Sequence, residues 1–497
     1  MENMITTTGI TISENEAARS VKRNANIRQK RASQSTRMLT FQDFQEHETD
    51  RAKWLGQAIA SCRHSSDYQT AVEANQYEKQ LNPTINNYVK MVYDITGVAS
   101  PDFTSTNNRI ASNFFHRLNT QRCSYSLGNG VTFAGRVKER DKNMKTVIRD
   151  TTKDELGKDF DNILYKWAYY ALIHGWSYLY DNDGEFYVFP MTEFMPFEDE
   201  VTGKIRAGVR FWSLGWNKRP IVVDLYEEDG YSRYMTPKGK YGLGALELAE
   251  KKRPYKEVVQ YSEADGEEII GGDNYASLPI IRLYGSKAKQ STLIGLQANI
   301  DAYDMVHSGF ANDLAECAQV YWLINNTSGM NDDDIRLLRD RLLLQHMAVV
   351  DENNSNVTPY TTEPPFNARE ACLNRIKASM YRDFGALDVD NISSAARTAT
   401  EIEAAYQPMD EEADDFEYQI IQGIRQLLKL MGLDDMPIFK RNKISNQKEQ
   451  TETVLLAANY LDDETVLNKL PFITVDEVDD IILRKDANDQ STFEPEE

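Results

Sequence analysis

Cysteine is scarce: the 497 residues hold 4. Cys62, Cys123, Cys317 and Cys372 lie far apart with no C-x-x-C pair. That argues against a disulfide framework or a zinc site and leaves reduced, mostly buried thiols as the expectation. The 6 histidines (His47, His64, His116, His174, His307, His346) are scattered, none at ligand spacing from another, so structural roles and no metal are expected. No apolar run approaches the ~20 residues that cross a bilayer. The stretch MENMITTTGITISENE lacks the charged-then-apolar pattern of a signal peptide, so the expectation is a chain that meets no membrane and stays in a cytoplasm. Basic charge is also short, with 56 Lys and Arg against 77 Asp and Glu and a net charge of -21. Such a balance favours solubility and disfavours a surface that wraps phosphates.

Motifs of catalysis are missing as well. The Gly-Lys pairs at 157, 203 and 239 are followed by Asp, Ile and Tyr, so there is no P-loop. H-E-x-x-H, H-x-H and G-x-S-x-G do not occur. Ser286-Lys-Ala-Lys289 matches S-x-x-K without its S-D-N and K-T-G companions, and reads as a helix entrance. The run Asp410 to Glu417 (DEEADDFE) invites comparison with a carboxylate metal site, yet on a helix its residues spread around the surface, and a solvated face is the expected role. A metal-dependent nuclease or ATPase built on these carboxylates is the enzyme alternative; no enzyme and no cofactor is the expectation.

What is present points to several folded units. Hydrophobic residues make up 41% of the chain and tyrosines number 26, which rules out general disorder. The length suggests ~3 structural units. From Phe41 to Phe115 helical periodicity dominates. The Gly-Asn-Gly at 128–130 then reads as a turn into a strand. A helix through Trp167, Tyr170 and Ile173 ends near Gly175. A strand from Trp176 follows, and Asp181-Asn-Asp-Gly turns it into a second strand from Glu185. Further strands are expected at Ile205 to Trp212, Pro220 to Tyr226 and Ile280 to Tyr284, with an exposed polar hairpin or excursion from Lys238 to Gly272. The whole is α+β with antiparallel strands.

The most telling segment is Leu293 to Val320. Apolar residues recur there at three-or-four spacing, and Asp301, Asp304, Asp313 and Glu316 share it with no Lys or Arg. As a helix it would extend ~42 Å. Asn331-Asp-Asp-Asp caps a short helix, the aspartates accepting its first amides. Strands are expected at His346 to Val350 and Val357 to Thr361. A second helix carries Leu373, Ile376, Met380 and Phe384, with Phe366 before them. Its excess of Arg and Lys complements the acidic segment, so these two helices are expected to pack together, within one chain or between copies. A small-residue loop, Gly385 to Thr398, precedes a capping box at Thr398-Ala-Thr-Glu and a long helix that Pro408 kinks. A second capping box stands at Thr474-Val-Asp-Glu. Arg19, Lys22, Arg23, Arg28, Lys30, Arg31 and Arg37 form a basic arm, and no internal repeat is found.

The order of these pieces resembles one family, the portal or head-tail connector proteins of tailed double-stranded-DNA bacteriophages, long-tailed-phage type. Four segments carry the likeness: Asn107 to Phe133; Ala171, Gly175, Tyr178 and Tyr180 followed by Glu193, Pro196, Asp199 and Arg210; Leu278-Pro-Ile-Ile leading to Ile300-Asp-Ala-Tyr-Asp; and Lys443-Ile-Ser-Asn-Gln-Lys-Glu-Gln with Asp463-Glu-Thr-Val-Leu and Leu470-Pro-Phe-Ile. The resemblance implies a phage portal architecture: a basic arm (1–40), an α+β wing (41–290), a first stem helix (291–320), a small α/β clip (321–364), a second stem helix (365–385), a tunnel loop (386–398), a long kinked helix (399–432), and a helical crown with an acidic tail (433–497).

It further implies a ring of about twelve subunits in the virion, assembled in the bacterial host cytoplasm. Double-stranded DNA would pass through non-specifically. The terminase large subunit, head-tail adaptors, and major capsid and scaffolding proteins would be partners. Tunnel-loop residues would be Asp388, Val389, Asp390, Asn391, Ile392, Ser393, Ser394 and Arg397; channel-facing stem residues Asp301, Asp304, Asp313 and Glu316; docking residues of the clip Asp332, Asp333, Asp334 and Arg336. Physics agrees, since a basic bore would retain DNA through counterion release whereas an acidic one repels it. Lys287 and Lys289, beside the stem, read as part of a solvated loop. A minor capsid component without a tunnel is the structural alternative.

Overall fold

The computed structural model describes residues 39–93, 97–102, 105–140, 146–214, 220–237, 240, 242–262, 266–317, 321–325, 331, 333–334, 336–337, 356–360, 366–389, 399–443, 447–470, 473, 477–478, 481–482 and 484–485. The chain forms two compact units. One comprises residues 1–78, 115–295 and 384–497, and the other 79–114 and 296–383.

The first unit opens with α1 (Phe41–Glu46), α2 (Arg51–His64) and α3 (Ser66–Glu78). Thr40 and Asp43 close a reciprocal capping box on α1 that sequence reading missed. After the return at α4 (Phe114–Leu127) and then α5 (Phe160–His174), Gly175 ends the helix at φ 98, and a hairpin follows: β1 (Trp176–Asn182) and β2 (Glu185–Pro190). Asp183 and Gly184 both sit at positive φ in its two-residue turn, the geometry that an Asp-Gly pair favours.

A five-stranded antiparallel meander is made of β3 (Phe194–Glu198), β4 (Ile205–Ser213), β5 (Ile221–Glu227), β6 (Gly230–Met235) and β7 (Glu247–Arg253). The polar stretch 238–272 contains the expected hairpin and more. Part of it extends this sheet, and the rest makes the hairpin Lys256–Ser262 with Gly266–Asp273. β8 (Ile280–Tyr284) pairs antiparallel with β1.

Two cores hold this unit. Trp54, Leu55, Ala58 and Ile59 of α2 cover the meander at Phe197, Val209, Phe211, Val223 and Leu225. Trp167, fully buried on α5, lies in a cluster with Leu179, Leu283 and the apolar face of the long helix α8 (Ala399–Met431): Phe416, Ile420, Ile424, Leu427 and Leu428. Each such side chain contributes roughly 1.5–3 kcal/mol through burial.

The second unit is built on α6 (Leu293–Cys317) and α7 (Phe366–Phe384), whose first and last residues cross into the other unit. A hairpin of Tyr321–Asn325 with Asn356–Tyr360 belongs to it, as does Met91–Tyr93 with Ala99–Pro101. Helical periodicity therefore does not carry through to Phe115: after Pro83–Asn86 the chain makes this second hairpin and resumes a helix only at Phe114. Among the described residues every pair of named strands is antiparallel, and no helix is long and apolar enough to cross a membrane. The basic arm up to Arg37, the strand expected at 346–350, and Thr398 and Thr474 of the two expected capping boxes lie outside the described residues.

Candidate functional site

Two places concern the residues singled out by sequence. The first is α6 in the second unit. Asp304, Ser308 and Asn312 stand four residues apart, so they form one polar row on the helix. All three are buried, Asp304 to 1% exposure. The extended segment before α4 runs beside this row. The backbone N–H of Asn108 donates to Asn312 Oδ1 at 2.6 Å, that of Ile110 to Ser308 Oγ at 2.9 Å, and that of Ser112 to Asp304 Oδ1 at 2.9 Å. Alternate amides of an extended chain thus meet every fourth side chain of a helix. Asn82 completes the arrangement, its Nδ2 donating both to Asp304 Oδ2 and, at 3.1 Å, to the Ser112 carbonyl. Burial pushes the Asp304 carboxyl above the usual aspartate range, against the pull of the bonds from Ser112 and Asn82.

This corrects the expectation that Asp304 faces a channel. Its carboxylate is committed inside the subunit because the chain at 108–112 needs acceptors for amides that no sheet supplies. Asp313 pairs with Arg369 of α7. The same two helices meet at Phe310 and Phe366, ring centroids 5.7 Å apart, and Phe114 stands edge-on to Tyr303 (4.9 Å) and Tyr381 (6.4 Å). The packing of α6 on α7, acid against base, therefore occurs within one chain. Asp301 is half-buried, and Glu316 lies on α6 with its side chain outside the described set. Cys372, on α7, is exposed rather than buried.

The second place is the root of the expected tunnel loop, in the first unit. Gly385 turns the chain at φ 66, and a Cβ there would meet Glu412 Cγ at 2.8 Å and the Pro408 carbonyl oxygen at 3.0 Å. Leu387 is buried with Tyr125, Tyr406, Met409 and Ala413. From α4, Gln121 donates to the Leu387 carbonyl at 2.9 Å. Arg122 donates to the Phe384 carbonyl, stacks 4.0 Å over the Phe384 ring and pairs with Glu412 at 3.1 Å. Asp388 is half-buried and Val389 exposed. Asp390, Asn391, Ile392, Ser393, Ser394 and Arg397 lie outside the described residues.

The acidic run on α8 is not simply a solvated face. Arg441 donates to Asp410 Oδ1 at 2.9 Å, to Glu417 at 2.9 and 2.8 Å, and to Asp414. Lys443 donates to Asp410 Oδ2 at 2.7 Å, and the Tyr125 hydroxyl to Asp410 Oδ1 at 2.6 Å. Among the described residues no group of three or more His, Cys, Asp or Glu is placed to hold a metal ion. Lys287 pairs with Asp415 at 3.5 Å, and Lys289 lies 4.6 Å over Tyr284. At the expected clip, Asn331 rather than an aspartate is the cap. Its Oδ1 accepts from the N–H of Asp333 and Asp334 at 3.1 and 2.9 Å, while Asp334 accepts from the Asn331 N–H at 3.2 Å. Asp333 and Arg336 are exposed, 3.9 Å apart; Asp332 lies outside the described residues.

Sequence reading missed the row Asp304, Ser308, Asn312 and its partner Asn82. The signal was a second, polar stripe at i+4 spacing beside the apolar one.

Known proteins resemble this chain over most of its length. The portal protein of Bacillus phage SPP1 is 24% identical over 405 residues, covering 77% of this chain and 76% of that protein. The portal protein of Clostridium phage phiCD119 is 21% identical over 408 residues, covering 77% and 85%. A solved chain from the virion of a native gene transfer agent particle overlaps loosely, with a TM-score of 0.39 at 10% identity over 71% of this chain and 87% of that one. The family described as "Phage portal protein, SPP1 Gp6-like" matches residues 64–491. With all but the two ends of the sequence inside that match, the chain belongs to the SPP1 Gp6-like family of phage portal proteins.

Proposed function

We propose that this chain is the subunit of a portal ring: about twelve copies at one capsid vertex of a virion, around the channel through which double-stranded DNA is packaged and ejected. The family match over residues 64–491 is the observation that carries the reading. In this proposal 321–364 is the clip, docking the terminase large subunit and, after packaging, head-tail adaptors. The segment 386–398 narrows the bore, 433–497 forms the crown, and the rim meets capsid and scaffolding proteins. The role is mechanical rather than catalytic.

Like charge supports the reading. At a net charge of -21 per copy, a ring adds repulsion of phosphate wherever carboxylates line its bore. The burial of Asp304 and the pairing of Asp313 with Arg369 narrow the candidates for that lining to Asp301 and Glu316 on α6 and to the loop. Electron microscopy of the purified full-length chain is expected to show rings with a central hole; a chain that stays monomeric at every salt concentration refutes the proposal. Lengthening or stiffening the loop at Ser393 and Ser394 is expected to impair DNA packaging and leave ring assembly intact, whereas equal loss of both makes the loop a structural element.

A further inference from the structure

Pro408 weakens α8 near its start, because it has no N–H to give the Ala404 carbonyl and its ring crowds the preceding turn. Just beyond it, Asp410, Asp414 and Glu417 project from one face at i, i+4 and i+7. Like charges at such spacing destabilise a helix by about 0.2–0.5 kcal/mol per pair. A proline break followed by three adjacent carboxylates is a poor design for a straight, stable helix, and what offsets it comes from outside the helix. One guanidinium, that of Arg441, reaches all three carboxylates, and Lys443 adds a second cation at Asp410.

The segment bearing these two cations is itself fixed. Pro437–Phe439 pairs with Val131–Phe133, and the Asn442 N–H donates to the Tyr125 carbonyl at 2.9 Å. Tyr125 returns the contact through its hydroxyl on Asp410, and its ring stacks on Tyr406, two residues before the proline, with centroids 5.9 Å apart. Cations, tyrosine and carboxylates thus bracket Pro408 from both sides. The chain emerging from α7 lies directly on this bracket: Gly385 abuts the Pro408 carbonyl and Glu412, and Leu387 packs on Tyr406 and Met409.

We propose that Arg441 is a clamp: by tying Asp410, Asp414 and Glu417 to the segment 437–443, it holds α8 at Pro408 and thereby fixes the loop root Phe384–Leu387 that rests there. Tyr125 and Lys443 are its auxiliaries. The consequence is a mechanical coupling inside one subunit. A partner that pulls on 437–443 loosens 384–389, and a ligand that displaces 384–389 strains the Arg441 contacts. Coupling of this kind is established only by a perturbation at one end that is read at the other.

Hydrogen exchange on the full-length chain supplies that test, and it reads the chain itself, so its outcome does not depend on the channel proposal. Arg441→Ala is expected to speed exchange of the 384–389 amides about tenfold or more, with amides 108–112 unchanged. Where the alanine loosens the whole chain, Arg441→Lys decides, because an ammonium keeps the charge without the planar fork that spans several carboxylates. Faster exchange at 384–389 alone in Arg441→Lys upholds the clamp. Wild-type exchange at 384–389, with or without opening at 410–417, overturns it.

Discussion

Removing the Asp304 carboxylate tests whether the segment before α4 is held to α6 by its hydrogen bonds. In Asp304→Ala, the Ser112 N–H loses its acceptor at 2.9 Å and the Asn82 Nδ2 loses one of two. An unsatisfied buried donor costs about 1–3 kcal/mol, so the two together cost about 2–6 kcal/mol. Part is returned, because the variant no longer buries a carboxyl whose proton affinity is raised by desolvation. A net loss of about 3 kcal/mol is expected, roughly a hundredfold faster opening of the row. The pH dependence has a definite sign. A raised folded-state value means that the stability gained on protonating Asp304 is fully present below the unfolded value and is lost as pH rises through the folded one.

Amide exchange at 108, 110 and 112, followed by mass spectrometry of the full-length chain, is the assay. Asp304→Asn separates the causes. The amide keeps the volume and removes the charge, but it turns a donor toward a donor. If hydrogen bonding governs, Asp304→Asn, which keeps one oxygen to accept from the Ser112 N–H, opens the row less than Asp304→Ala does. An Asp304→Ala chain as well protected as wild type would show that desolvation had cancelled the bonds, and the zipper reasoning would fail.

Two further outcomes are expected. Gly385→Ala forces a Cβ into the left-handed region and against the Pro408 carbonyl, which costs about 1–2 kcal/mol for the backbone alone; a drop in Tm with faster exchange at 384–389 checks it, and an unchanged Tm denies that the turn is tight. Burial raises the Asp410 carboxyl, but bonds from Lys443, Tyr125 and Arg441 outweigh it, so its folded-state value is lowered. The stability Asp410 lends is therefore present above the unfolded value and lost as pH falls through the folded one. The Tm gap between wild type and Asp410→Asn should shrink as pH drops from about 6 to about 2, and a constant gap contradicts the assignment.

The elements that bury one face were legible in the sequence. Ile280–Tyr284 lies where its apolar run and preceding proline put it, and the Asp183-Gly184 turn, α7 and α8 follow from turn chemistry and periodicity alone. The second unit's membership was not legible. Residues 79–114 read as more of the helical stretch from Phe41, yet they are held by main-chain amides bonded to side chains some 200 residues away, a pairing with no local signature. An aspartate on a helix reads as solvated, and Asp304 became buried only because a chain laid on it needed acceptors. The same blindness applied to Asp410, Asp414 and Glu417, whose counter-ion, Arg441, comes from beyond the end of the helix. At Asn331 the cap was expected at the right place with the wrong residue accepting.

The spacing of the three rungs on α6 sets a limit of its own. Alternate residues of an extended chain advance ~6.7 Å, whereas four residues of a helix advance ~6.0 Å. The two scales coincide at one mark and drift by ~0.7 Å at each neighbour. Serine, the shortest of the three side chains, occupies the central mark, and the longer Asp304 and Asn312 take up the drift at either side. Two marks from the centre the drift would reach ~1.4 Å, and sliding the chain by one step takes Ser308 from the central mark. The pair works as a vernier whose marks differ in length, so the order Asp304, Ser308, Asn312 sets the lengthwise position of this segment on its helix.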